Sequence, residues 1–247
     1  MTPHPHSTTQ PRVLLTRSEE DCAEWEPRFR ERGAEPVSLP CIRCELIDTP
    51  ELRAELAEAL RNTDWLVFTS RHGVESFAAL QPTQPARWRV AVVGAATAAA
   101  AHAALKRADL VGRGGTAASL AETLVDEGDL THHPRVLLAV AENAGDAFER
   151  TVAAAGARCV RCNVYRTVPA APTARRPLSS LHVDNVVLAS PSAVTGFMHQ
   201  IEVDVPANVY TIGPSTTAAA RKAGLSVTAE AREPSLEGIL EAMQWRN

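Results

Sequence analysis

Aromatic residues are scarce in this chain: 4 Trp, 2 Tyr and 5 Phe make up 4% of its 247 residues. With no sticky apolar patch evident either, that scarcity predicts a monomer, since interfaces draw on aromatic anchors. No apolar run approaches the roughly 18 residues of a membrane span. The opening MTPHPHSTTQPR lacks the apolar stretch of a secretory signal. Residues 1–11 read as a flexible leader, with His4 and His6 as solvated tail residues, and the expected location is the cytoplasm. Positive charge is not in excess: 25 Lys and Arg against 29 Asp and Glu leave a formal charge of -4, which argues against a nucleic-acid or anionic-membrane partner. There is no P-loop, no His-Glu-x-x-His and no nucleophile elbow. GRGG at 112–115 is a fragment of a dinucleotide fingerprint without its acidic residue and reads as a loop. His132-His133 before Pro134 reads as an exposed turn, and His72, His102, His182 and His199 show no metal-ligand spacing.

What the chain does contain is alternation. Hydrophobic residues at 45% and charged residues at 22% are ordinary for a globular protein, and 247 residues allow one large domain or two small ones. Short apolar runs, RVLLTR (12–17), WLVFTS (65–70), RVAVVG (89–94), RVLLAV (135–140), NVVLAS (185–190) and NVYTIG (208–213), are separated by Ala/Leu/Glu-rich stretches of helical length. Near-continuous Val/Leu runs fit strands buried on both faces by intervening helices, which predicts parallel α/β sheets. Ser18 with Asp21 resembles a capping box opening a helix that Gly33 stops, and Pro27 is expected to kink or split it. Thr49-Pro50 opens a second helix with Leu52, Leu56 and Leu60 on one stripe, and 117–128 and 234–243 read as later helices.

The alternation repeats itself. DWLVFTSRHGVESF (64–77) returns as DNVVLASPSAVTGF (184–197), and RVAVVGAATAAAAHAA (89–104) as NVYTIGPSTTAAARKA (208–223). RVLLTR leading to Gly33 matches RVLLAV leading to Gly156, and SLAETL (119–124) matches SLEGIL (235–240). Four blocks in one order, at offsets between 116 and 123, indicate duplication into two similar α/β domains.

Thr69-Ser70, Gly94-Ala95-Ala96-Thr97, Ser190-Pro191-Ser192 and Gly213-Pro214-Ser215-Thr216 all stand at strand carboxyl ends, just before a helix. Each can be a plain helix cap, or its first-turn amides and hydroxyls can hold an anion. Small residues at all four, two per domain, favour a shared cleft for a large ligand. Cys41-x-x-Cys44 and Cys159-x-x-Cys162 stay open between structural thiols, a zinc site and a redox pair. On regular strands residues three apart point to opposite faces, which works against zinc. An antiparallel pairing with index sum 203 would set Cys41 against Cys162 and Cys44 against Cys159.

VLLTR, VFTSRHGV, VVGAAT, VYRT, ASPSAV and IGPSTTAAA, in this order, resemble the uroporphyrinogen-III synthase family from about residue 12 to about 243. The resemblance implies two similar three-layer α/β/α domains with parallel sheets, joined by a two-stranded antiparallel linker. Domain 1 would be 12–37 plus 168–247, the linker strands 38–44 and 161–167, and domain 2 45–160. It implies ring closure of hydroxymethylbilane to uroporphyrinogen III in haem biosynthesis, with inversion of the last pyrrole and loss of water, without metal or organic cofactor. The implied partner is that small polycarboxylate alone. Tyr165 of VYRT matches the family's cleft tyrosine, placed to assist departure of the hydroxyl. Thr69, Ser70, Thr97, Ser190, Ser192, Gly213, Pro214 and Thr216 match its binding turns, and Arg17 is placed to meet a substrate carboxylate. Two departures stand out: AVAENAGDAF where the family often carries Arg-Gly, and His72 where an amide or other polar residue is common. The competing reading is a non-catalytic tetrapyrrole or anion sensor on the same fold.

Overall fold

The computed structural model describes residues 10–80, 87–130, 132–170 and 174–244. Of the expected leader only residues 10–11 are among them, and His4 and His6 lie outside. Along the chain run β1 (Arg12–Leu15), α1 (Glu19–Glu31), β2 (Glu35–Ser38), β3 (Ile42–Leu46), α2 (Pro50–Leu60), β4 (Trp65–Phe68), α3 (Arg71–Leu80), β5 (Arg89–Val92), α4 (Ala95–Leu105), β6 (Leu110–Val111) and α5 (Ala117–Glu127). Then follow β7 (Arg135–Ala141), α6 (Ala147–Ala154), β8 (Arg158–Pro169), β9 (Arg176–Pro177), β10 (Asn185–Leu188), α7 (Pro191–Gln200), β11 (Ile201–Glu202), β12 (Asn208–Thr211), α8 (Pro214–Lys222), β13 (Val227–Glu230) and α9 (Leu236–Ala242). The described residues up to Arg43 and from Val168 pack as unit 1, and Cys44–Thr167 as unit 2. The chain leaves unit 1 within β3 and returns within β8. No helix among the described residues is long and apolar enough to cross a membrane.

Unit 1 holds the sheet β13-β12-β10-β1-β2, with every neighbouring pair parallel. Unit 2 carries β3-β8-β7-β4-β5-β6, parallel from β8 to β6. The repeat matches β1 with β7, β10 with β4 and β12 with β5; substituting these, and β2 for β8 and β13 for β6, turns one order into the other. Duplication is therefore written in the topology as well as in the sequence.

Burial explains the apolar runs. Along β4, Leu66 and Phe68 enter one core layer with Val74, Phe77 and Leu137, while Trp65 and Val67 enter the opposite layer with Leu120, Leu124 and Phe148. Along β1, Leu14 joins Val186 and Phe197, whereas Val13 and Leu15 join Trp25, Phe29 and Ile239. Both faces are covered by helices, so a period-two polar pattern would bury polar groups.

Helix starts largely follow their punctuation. Ser18, Thr49, Ser190 and Ser235 each accept an N–H from the first turn of the following helix. A reciprocal capping box forms at Thr116 and Ser119. At Ser18 the carboxylate of Asp21 instead accepts from Arg17. The expected split at Pro27 does not occur: α1 runs unbroken through it, held by Trp25 and Phe29 in the core.

The cysteine register also differs from expectation. Ala170 N–H donates to Cys41 O at 2.9 Å, and Ile47 N–H donates to Val164 O at 3.0 Å. Both pairs have an index sum of 211, so β8 runs antiparallel to this segment eight positions away from the register that would face cysteine with cysteine. The reason is burial in separate cores: Cys41 packs with Leu39 and Phe197, Cys162 with Val164 and Leu137.

Candidate active site

In a doubly wound sheet the crevice opens beyond the strand carboxyl ends, where strand order reverses. Unit 2 reverses between β4 and β7, and unit 1 between β10 and β1. The residues just past these four strands are Thr69-Ser70, Glu142, Ala189-Ser190 and Thr16-Arg17.

At the unit 2 reversal the chain assembles a hydroxyl pair. Ser70 Oγ lies 2.9 Å from Tyr165 Oη, and either oxygen can donate. Gly73 N–H donates to Ser70 Oγ at 3.0 Å, which orients that oxygen and leaves Ser70's own proton available to the phenol. Backbone irregularity puts Tyr165 there. In the β7–β8 ladder Val140 faces Asn163, but Ala141 faces Tyr165, so Val164 is an extra residue. Regular alternation would send Tyr165 to the face opposite Val164; the bulge turns both into the layer holding Phe68 and Phe77. Tyr165 is buried, and its carbonyl accepts from Glu142 N–H at 2.8 Å. Gly73 is required here by close approach, because a Cβ would stand 2.9 Å from Ala139 O and 3.3 Å from Ser70 Oγ.

The other turns fall into two kinds. Ser190 Oγ accepts Ala193 N–H and lies 3.0 Å from Ser192 Oγ, so that turn is a side-chain cap with a second hydroxyl beside it. Gly94 and Gly213, matched in the repeat, open α4 and α8 with no capping side chain. Their φ angles of 179° and 170° are extended and open to any residue, and a Cβ at either would meet nothing within 4 Å. Neither conformation nor packing in this chain calls for glycine at either place. The first-turn residues behind them, Ala95, Ala96 and Ser215, are exposed.

Three expected contributors are placed otherwise than as free ligands. Thr97 and Thr216 are buried beneath their helix starts. Arg17 donates to Asp21 Oδ2 from Nη2 at 2.9 Å and from Nε at 3.2 Å, with its guanidinium 4.3 Å over the Trp25 ring. A substrate carboxylate at Arg17 thus competes with Asp21. Thr69 is half-buried and Pro214 exposed. One neighbour carried no role in the sequence reading: His72, whose ring centroid is 6.0 Å from that of Tyr165, with Nδ1 3.5 Å from Glu75 Oε2. The visible signal for it was His and Glu three apart on the helix that follows Ser70.

The cysteines take no part in this site. Cys159 packs on one face of the unit 2 sheet and Cys162 on the other, so that pair does not converge on one ion. Burial pushes the thiol of Cys22 up to about 11, and those of Cys41, Cys159 and Cys162 up to about 12. Since the thiolate is the nucleophile, all four are protonated and slow at pH 8. An aromatic disulfide reagent is expected to label no more than one of the five thiols rapidly at that pH and all five after denaturation. Fast native labelling of two or more would contradict the buried placement.

Twin parallel sheets with one strand order and hydroxyl turns at their reversals define a duplicated, doubly wound α/β protein. The chain belongs to the uroporphyrinogen-III synthase family: the model of uroporphyrinogen-III synthase HemD matches residues 23–241. The chloroplastic uroporphyrinogen-III synthase of Oryza sativa subsp. japonica is 28% identical over 252 residues, spanning 96% of this chain and 81% of that protein. A 66-residue stretch is 33% identical to the porphyrin biosynthesis protein HemD of Ruminiclostridium josui, covering 27% of this chain and only 13% of that longer protein. The fold matches uroporphyrinogen-III synthetase from Helicobacter pylori 26695 with TM-score 0.61 and 16% identity, over 96% of this chain and 100% of the other. It also matches a mutant uroporphyrinogen III synthase of Thermus thermophilus, with TM-score 0.54 and 18% identity over 95% and 97% of the two chains.

Proposed function

We propose that this chain closes hydroxymethylbilane into uroporphyrinogen III, with loss of water and inversion of the last pyrrole ring. The observation that carries the reading is the Ser70–Tyr165 hydroxyl pair at the strand-order reversal, in a chain of this family. Tyr165 donates its phenolic proton toward the departing hydroxyl of the terminal hydroxymethyl group. Ser70 then donates its own proton in a hydrogen bond to the phenolic oxygen as negative charge develops there, while Gly73 N–H holds Ser70 in line. Loss of water leaves an electrophilic methylene carbon, and the final ring attacks it through its already substituted position. The older methylene bond at that position then breaks and re-forms at the ring's free position, whose proton is lost and restores the neutral phenol. The protein's remaining task is to hold the chain folded so that the substituted carbon, not the free one, meets the methylene first.

The substrate's eight carboxylates suit amide-lined helix starts. At Gly94 and Gly213 the missing side chain lets a carboxylate approach the first-turn N–H groups of α4 and α8, which carry the positive end of each helix dipole. Ser190 and Ser192 add hydroxyls, Thr69 and Pro214 shape the turns they stand in, and Thr97 and Thr216 brace the uncapped starts from beneath. Arg17 exchanges Asp21 for a carboxylate. The domains in this reading are 12–37 with 168–247, and 45–160, linked by 38–44 and 161–167. The protein acts as a cytoplasmic monomer, as the sequence reading expects.

The test is a coupled assay with freshly generated hydroxymethylbilane. The type III isomer is expected in excess over the spontaneous type I ring. A protein that binds the substrate yet leaves only type I is a binder, and the proposal fails.

A further inference from the structure

We propose that His72 is a positioning residue for Tyr165: its imidazole, tethered to Glu75, walls in the phenol ring and keeps the hydroxyl on Ser70. The inference rests on the reading of Tyr165 as proton donor. Tyr165 stands where the β7–β8 ladder slips by one residue, so regular strand pairing constrains its backbone less there than along the preceding strand. A phenol pivots about two side-chain torsions, and the hydrogen bond to Ser70 fixes the oxygen without fixing the ring.

The wall comes from the helix that begins beside Ser70. His72 lies in the first turn of α3, its side chain 15% exposed, with its ring tilted 51° to that of Tyr165 at 6.0 Å between centroids. Glu75, one turn on and mostly exposed, holds Nδ1 at 3.5 Å and so resists rotation of the imidazole. The same first turn supplies Gly73 N–H to Ser70. One turn of helix therefore sets both the oxygen that meets the phenol and the ring that flanks it. In this role no proton moves through His72.

A positional role separates kcat from KM. His72→Ala is expected to lower kcat about tenfold with KM within about twofold, because a displaced donor weakens only the step it serves. His72→Phe, which keeps a ring without the Glu75 tether, should stay within about threefold of the wild type. A second readout needs no turnover. The chain has 2 tyrosines, so protein made with ring-13C tyrosine gives two sets of ring signals, assigned through Tyr210→Phe. In His72→Ala the Tyr165 signal should move toward the position of free tyrosine. If His72→Ala does not fold, Glu75→Gln at its exposed site should shift the same signal less far in the same direction. An unmoved Tyr165 signal overturns the inference, as does an equal loss of kcat in the Ala and Phe variants. If the wild-type protein yields only the type I ring, the synthase reading fails, and the tyrosine signal still decides whether His72 holds the phenol.

Discussion

Tyr165→Phe should lower kcat for type III ring formation about a hundredfold and leave KM within a few-fold, the low end of what general acid catalysis contributes. The substitution removes one oxygen and keeps the ring among Phe68, Phe77 and Val164, so the fold has little reason to change. The hydrogen bond to Ser70 is lost at a cost of about 1 kcal/mol, and Ser70 keeps its bond from Gly73. Ser70→Ala should fall between the two proteins, because the phenol stays while its partner goes. Single-turnover kinetics with hydroxymethylbilane separate the steps. If Tyr165→Phe turned over at the wild-type rate, the assignment of the proton donor would be wrong even if the family activity stood. If KM rose and kcat held, the phenol would be a substrate anchor rather than an acid.

The repeat made much of this architecture legible. Strands buried on both faces must be written as apolar runs, and runs such as RVLLTR and RVLLAV stand out because few other structures need them. Aligning the copies pairs β1 with β7 and β10 with β4, and these pairs flank the strand-order reversal in each unit. What stayed hidden depends on contacts between distant segments. The bulge at Val164 has no composition of its own, yet it decides which face Tyr165 occupies. The pairing beside β8 is fixed by burying Cys41 and Cys162 in different cores, and matched CxxC spacing misread it. Hydroxyls were legible as residue types but not as directions. Ser70 and Ser190 cap at the strand ends, whereas Thr97 and Thr216, three residues past their glycines, turn inward under the helix. The pairing of Arg17 with Asp21 stayed hidden too, because nothing in a linear string weighs Asp21, one helical turn on, against a substrate carboxylate.

Gly196→Ala should destabilise the protein by about 3 kcal/mol, lowering the calorimetric transition by roughly 6–12 °C. Helix propensity alone predicts the opposite sign, since alanine in a helix interior is favoured over glycine by about 1 kcal/mol. The neighbour reverses it. A Cβ at Gly196 in α7 would lie 1.9 Å from Cys41 O, 2.8 Å from its carbonyl carbon and 3.2 Å from its Cβ. That oxygen is backbone, already accepts Ala170 N–H at 2.9 Å, and belongs to a residue with no solvent exposure, so it cannot swing aside as a flexible side chain would. The matched position in α3 is Ser76, where a half-buried side chain is accommodated. The duplicated helices thus diverge at one residue, where the chain leaves unit 1 close against α7. Ser76→Ala, the control, should change stability by less than about 0.5 kcal/mol. A Gly196→Ala protein that melts at or above the wild-type temperature would mean that Cys41 yields at little cost, and that glycine is not kept at 196 by that carbonyl.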